Sequence, residues 1–285
     1  MVVKELREPR DFLNAAEPLL LADEARNNLV LGIAGTLRDH PGVYDERRLW
    51  IVLDGRGRVA AAALQTPPYN LVLAGPASED ALEALIDGLH RASVELPGVT
   101  AAVPEALAFA TRWGARRNVR ARRRMAQRIH RLEALRQVEG VAGHARHATE
   151  TDRALVVEWV AAFAAEVARE DAPAHEAERV VDAGLRRGAG GFTIWEDDGA
   201  PVSLAGWGGR TPNGVRIGPV YTPPAHRRRG YGSAVTAAVT AEQLASGRTF
   251  CFLYTDQANP TSNRIYASLG YEPVCDAVDV AFDAP

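Results

Sequence analysis

Lysine is almost missing from this 285-residue chain: Lys4 is the sole one among 33 basic residues. Arginine carries the rest, and beside so much alanine this reads as a coding bias rather than a functional choice. Cysteine is nearly as scarce. Cys251 and Cys275 lie far apart and lack the short spacings of metal or redox pairs, so they read as reduced, mostly buried thiols and no metal site is expected. No run of about 18 apolar residues occurs, so no membrane span is expected. The start, MVVKELREPR, has no apolar core of a secretory leader. Neither charge dominates: the net charge is −3, which argues against general affinity for nucleic acid or membrane. A cytoplasmic protein follows as the simplest expectation.

What remains is an ordinary globular composition, 47% hydrophobic and 24% charged. The length is generous for one domain and comfortable for two of about 140 residues. The second half is the clearer. In TETDRALVVEWVAAFAAEVARE, Leu155, Trp159, Phe163 and Val167 recur every fourth residue with Val156 and Val160 beside them, predicting one helical stripe. Thr149 with Asp152 supplies its capping start. A polar helix follows and stops at Gly188. FTIWE, the turn DDGA and PVSLAGW predict a β-hairpin, and VRIGPVY a further strand. A helix runs from about Gly230 to Ser246 with Gly247 as its stop. TFCFLYT, PTSNRIYASL and PVCDAVDVAF then predict strand, short helix and last strand.

The first half repeats this order. RLWIVL, DGRG and RVAAAAL match the later hairpin, with Asp54-Gly55 standing where Asp198-Gly199 stand. NLVL, SEDALEALIDGLHRAS, VTAAV and PEALAFATRW then give strand, helix, strand and helix. Similarity at half the chain length suggests duplication. The boundary is expected in EGVAGHARHA, residues 139–148, which is small, polar and aperiodic, giving domains 1–143 and 144–285. The fold class is therefore α/β (α+β): two tandem domains, each a mixed, mostly antiparallel sheet flanked by helices.

Chemistry concentrates in PVYTPPAHRRRGYGSAVTAAV, residues 219–239. A helix start leaves about four N–H groups unpaired and carries partial positive charge. Glycines let an anion approach that backbone closely, and arginines add charge and paired donors. The loop therefore suggests a pyrophosphate cradle. Arg227-x-x-Gly230-x-Gly232 after VYTPP resembles the acetyl-CoA signature of the GNAT superfamily of N-acetyltransferases. NPTSNRIYASLGY resembles that family's later Asn…Tyr…Gly-Tyr/Phe segment. The resemblance covers residues 150–282, and the first half resembles the same fold without its motif, as in tandem members.

The resemblance implies the following roles. Amides from Arg228, Arg229, Gly230, Tyr231, Gly232 and Ser233 hold the pyrophosphate of acetyl-CoA, with Arg227 near the phosphates. Val220, Tyr221 and Thr222 pair through their backbone with the pantetheine arm. Asn259 and Asn263 bind the cofactor, and Tyr266 protonates the departing thiolate. An unperturbed phenol of pKa about 10 is well matched to a thiol of comparable pKa. Asn259 before Pro260 is equally a helix cap, and Tyr266 equally a core aromatic. Tyr271 reads as core. VRIGPV lacks the carboxylate many members use as general base, which leaves Glu166, Asp256 or a water chain. Glu166, with Glu170 and Asp171, is also the candidate for attracting a cationic acceptor.

In the first half the corresponding stretch reads LAGPASEDALEAL. Ser78, Glu79 and Asp80 occupy its helix start and would repel phosphates, so that half is not expected to bind acetyl-CoA. Either it walls one side of the acceptor site or it is structural only. The run WGARRNVRARRRMAQRIHRL invites a nucleic-acid reading. Met125, Gln127 and Ile129 nevertheless alternate on one face, so a strand with a solvated charged face is expected. The leading reading is an acetyltransferase acting on an amine by direct attack in a ternary complex. The rival is a non-catalytic acyl-CoA-binding or regulatory protein. The partner implied is a small-molecule or peptide amine, and oligomeric state is not readable.

Overall fold

The computed structural model describes residues 1–168 and 174–284. Glu170 and Asp171 lie outside the described residues. The chain forms two compact units, Met1–Ile129 with Val274–Pro285, and His130–Pro273. These divisions fall after Ile129 and before Val274, where the sequence reading had one boundary between 143 and 144.

The first unit opens with three elements that the sequence reading left unassigned: β1 (Val2–Leu6), α1 (Pro9–Leu21) and α2 (Asn28–Asp39). Then come β2 (Arg48–Leu53), β3 (Val59–Gln65), β4 (Leu71–Leu73), α3 (Glu79–Arg91), β5 (Gly98–Ala102), α4 (Glu105–Arg117) and β6 (Arg120–Leu132). β1, β2, β3 and β4 pair antiparallel in sequence order, and β4 pairs parallel with β5. Trp50 and Val52 face a core built with α3 and α4, while Leu49 and Ile51 face one built with α1 and α2. Both faces of β2 are buried, which is why RLWIVL is continuously apolar rather than alternating.

The strand after β5 comes from the far end of the chain. β12 (Glu272–Asp283) pairs antiparallel with β5 from Ala277↔Ala102 to Ala281↔Gly98. Val278 and Val280 complete the core under α3 and α4. The sequence had read this strand as the end of the second half, because alternation locates a strand but not its partner.

The arginines of residues 112–128 are largely neutralised within this unit. Arg112 and Arg116 on α4 bond to Glu79, Glu83 and Asp87 on α3, and Arg117 pairs with Glu95. On β6, Arg122 pairs with Asp283 and Arg128 with Asp276 of the neighbouring strand.

The second unit contains β7 (His144–His147), a 3-10 turn at Glu150–Asp152, α5 (Arg153–Ala168) and α6 (Ala174–Leu185). β8 (Gly190–Asp197), β9 (Ala200–Gly208), β10 (Gly214–Tyr221), α7 (Tyr231–Ala245), β11 (Phe250–Asp256) and α8 (Pro260–Leu269) follow. β7, β8, β9 and β10 are antiparallel neighbours, and β10 runs parallel to β11. The stretch 139–148, expected to be a featureless connector, thus contains an edge strand. Arg146 of that strand bonds to both Asp152 and Glu196, and the expected Thr149–Asp152 capping box forms. The pairing of β7 with β8 and the Arg146–Glu196 bond are long-range, and small polar composition does not reveal them.

The two Asp-Gly turns are built differently. Asp198 and Gly199 both take positive φ, 50° and 74°, which suits a two-residue hairpin. In the first unit the loop is longer. Asp54 accepts the N–H groups of Arg56 and Arg58, and Gly57 takes the positive φ of 77°.

Candidate active site

β10 and β11 pair only over Gly214↔Phe250, Val215↔Cys251 and Arg216↔Phe252. β10 then continues to Tyr221 and β11 to Asp256. The two strands therefore part, leaving the edge of 217–221 that faces β11 without a ladder. Between Ile217 and Val220 the register with β9 shifts. Such a bulge reverses the alternation of side chains. Ile217 packs with the α7 and α8 side, whereas Tyr221, of the same parity, packs with the α5 and α6 side. Its ring lies 6.2 Å from that of Trp159.

The chain leaves β10 through Pro223 and enters α7 with no side-chain cap and no acidic residue in the first turn. Arg228 and Gly230 take positive φ, 67° and 84°, a pattern that turns main-chain N–H groups toward a common anion. The first helical bond is from the N–H of Ala234 to the Gly230 carbonyl. Among the described residues, the N–H groups of Tyr231, Gly232 and Ser233 meet no acceptor. A Cβ at Gly230 would lie 2.9 Å from Val141, in the stretch read as connector, and one at Gly232 would lie 3.3 Å from Thr222 Oγ1. Gly230, with its positive φ, therefore requires a bare backbone, and the absence of a side chain at Gly232 allows close approach of strand and helix.

The matching turn of the first unit is filled. Ser78 Oγ accepts the N–H of Ala81 (3.3 Å), Asn27 takes both the N–H and the carbonyl of Gly75, and Glu105 accepts the N–H of Ala77 (3.3 Å). Glu105 is buried and paired with Arg26. A protein carboxylate stands where the second unit leaves amides free.

The side chains the sequence singled out divide into groups. Arg228 and Arg229 are exposed at the loop. Arg227 turns the other way: Nε donates to the Thr222 carbonyl (2.8 Å), and Nη2 bonds to Glu166 (2.6 Å). Its guanidinium lies over the Tyr221 ring at 5.9 Å. Burial raises the Tyr221 pKa, and Glu166 adds to the rise. Tyr231 presents its N–H to the loop while its hydroxyl donates to Asp197 at the end of β8.

Asn259 caps α8, its Oδ1 accepting the N–H groups of Thr261 (3.1 Å) and Ser262 (3.2 Å). Asn263 ties α8 to β11 by donating to the Asp256 carbonyl. Asp256 Oδ1 accepts the N–H of Ala258 and shapes that turn. Tyr266 packs edge-on against Tyr271 at 6.0 Å, and among the described residues its hydroxyl meets no partner. Burial pushes its pKa up to about 12, so the match to a thiol expected from an unperturbed phenol does not hold. Tyr271 is core, as expected, and its hydroxyl bonds to Thr240.

Sequence reasoning missed Asp197 and Ser203, and read Trp159 only as part of the α5 stripe. Ser203 is buried in β9 and bonds to the Tyr221 carbonyl and to Thr222 Oγ1. A serine inside the apolar run PVSLAGW was the available signal, since a buried hydroxyl needs a partner. The other two depend on which elements meet.

Residues 196–278 match the family model described as FR47-like protein. No curated protein sequence matches the chain. Solved structures do. A tandem GNAT protein from the clavulanic acid biosynthesis pathway is 16% identical, with 100% of this chain and 99% of that one covered and a TM-score of 0.64. A GCN5-related N-acetyltransferase from Sphaerobacter thermophilus is 16% identical, covering 100% and 96%, with a TM-score of 0.61. One from Kribbella flavida is 21% identical, covering 79% and 88%, at 0.54. The parted strands, the open entrance to α7 and these likenesses agree: the chain has the fold of the GCN5-related N-acetyltransferases in tandem, with residues 196–278 matching the FR47-like family.

Proposed function

We propose that this protein transfers an acetyl group from acetyl-CoA to an amine by direct attack in a ternary complex, using its second unit alone. The observation that carries the reading is the uncapped start of α7, with its free N–H groups, beside the unladdered edge of β10. The residues present fit acetyl-CoA. Amides of Arg228 to Ser233, with the exposed Arg228 and Arg229, would hold the pyrophosphate. The edge at Val220, Tyr221 and Thr222 would pair with the pantetheine amides as a strand pairs with its neighbour. The Asn259 side-chain nitrogen, left over from capping, and Asn263 line the same end of β11.

Acetyl-CoA, when bound, supplies an acetyl thioester. A main-chain N–H near Tyr221 would polarise its carbonyl. Tyr266 holds a proton at its hydroxyl and would donate it to the thiolate as charge develops. Glu166 would attract the acceptor's ammonium and take a proton from it once Arg227 releases the carboxylate. Asp256, already used in its turn, is the weaker candidate. Two free cysteines suit the reducing cytoplasm where this reading places the protein.

Titration calorimetry with CoA should give one site per chain. Thiol release from acetyl-CoA, screened over amines, amino acids, polyamines and peptides, should require an acceptor. Absence of CoA binding sinks the proposal. The second reading, an acyl-CoA-binding or regulatory protein, is favoured by one observation: the strand edge 217–221 carries no carboxylate to serve as base. Tight CoA binding with no thiol release from any acceptor would select it.

A further inference from the structure

Ser203 lies in the middle of β9 with none of its surface exposed. Its Oγ is 3.0 Å from the Tyr221 carbonyl oxygen and 2.8 Å from Thr222 Oγ1. A serine hydroxyl has a single proton, and a carbonyl oxygen can only accept. Two oxygens at the first distance need that proton between them, so the Ser203 proton is committed to Tyr221. The bond to Thr222 then requires Thr222 to donate, and Thr222 has no second proton. Thr222 Oγ1 is also the atom nearest to where a Cβ of Gly232 would stand, at 3.3 Å. Toward the start of α7 it can present only lone pairs.

We infer that Ser203 is a positioning residue for the acyl-donor site: its proton makes Thr222 an acceptor-only group at the entrance of α7. This rests on the acyl-CoA reading above and adds to it a boundary between two chemistries. The free amides of α7 attract phosphate oxygens, whereas an oxygen bearing only lone pairs repels them. Thr222 takes instead a donor, the hydroxyl or amide N–H of the pantetheine arm where it joins the pyrophosphate. Ser203 thereby sets the register of the ligand along β10. Without it, Thr222 recovers a rotatable proton and the Tyr221 carbonyl loses its anchor.

The test compares Ser203→Ala, Thr222→Val and the double variant, with CoA and 3′,5′-ADP as probes in titration calorimetry and thermal melting as the control for folding. Each single variant should bind CoA about tenfold more weakly, the scale of one hydrogen bond. The double variant should bind no more weakly than Thr222→Val, because Ser203 acts through Thr222. Affinity for 3′,5′-ADP, which has phosphates and no pantetheine arm, should not fall. With acetyl-CoA varied, kcat should fall less than KM for acetyl-CoA rises. Additive losses, equal losses toward 3′,5′-ADP, or unchanged CoA affinity in Ser203→Ala would overturn the inference while leaving the acyl-CoA reading intact. If Ser203→Ala does not fold, Thr222→Val with the two probes still decides. A wild-type protein that binds neither probe overturns both.

Discussion

Tyr266 keeps its proton throughout the physiological range, because burial of its ring raises the pKa to about 12. A thiol has a reference pKa of about 8.5, so complete transfer from this phenol to a thiolate is uphill. On the proposed mechanism the residue would therefore work by hydrogen-bonding to developing charge more than by delivering a free proton. Tyr266→Phe should lower kcat roughly 10- to 100-fold in single-turnover experiments, at the modest end for a general acid. Cofactor affinity and melting temperature should hold, since the ring still packs on Tyr271. The pH dependence has a definite sign. The donor is the protonated form, which a raised pKa preserves, so Tyr266 contributes no alkaline loss of rate below about pH 10. An alkaline limb that appears near pH 9 and vanishes in the Phe variant would contradict this.

Helix starts distinguish the two units more sharply than any single residue. α3 has its first turn capped by Ser78, and the turn before it is occupied by Asn27 and Glu105. α7 has neither cap nor carboxylate. Gly232→Val should abolish measurable CoA binding by filling the cradle. Its melting temperature should drop only slightly, as Thr222 gives by a few tenths of an ångström. Retained affinity would remove the loop from the site. This contrast was legible in the sequence as Arg-x-x-Gly-x-Gly against Ser-Glu-Asp, because caps and glycines are local signals. The α5 stripe, both hairpins and the cap at Asn259 were legible for the same reason. The destination of β12, the strand at His144–His147 and the latch at Ser203 were not, because each depends on a partner remote in sequence.

That edge strand carries an acid-sensitive joint. The Arg146 guanidinium holds the Asp152 pKa down to about 2. A depressed carboxylate stabilises the fold above its unfolded pKa of about 4, and the contribution fades as pH falls toward 2. Arg146→Ala should therefore cost about 1–3 kcal/mol at pH 7. In denaturant titrations the gap to wild type should narrow steadily below pH 4. A gap that is constant with pH would mean that Arg146 acts by packing alone.

At the scale of the molecule, the first unit takes its strand beside β5 from residues more than 140 positions later in the sequence. β12 gives the first unit Val278 and Val280 for its core, and Asp279 accepts bonds from Asn70 and Thr100. Trp113 packs near Phe282 at 6.5 Å. Deleting residues 274–285 should therefore damage the first unit, not the one that precedes them in sequence. Hydrogen exchange should show lost protection at Val99 and Ala101, the β5 residues opposite Val280 and Val278. Protection unchanged there would mean that the terminal strand is dispensable.

The same strand order bears on how the protein is made. A ribosome releases residues 1–129 well before β12 exists, so β5 waits with a bare edge while residues 103–271 are made. Domains of nascent chains usually complete in the order of synthesis. Here the first unit cannot close its sheet until residues 274–285 emerge. A bare, apolar strand edge is a template for wrong pairing, so the interval between β5 and β12 is when a nascent chain most needs a chaperone.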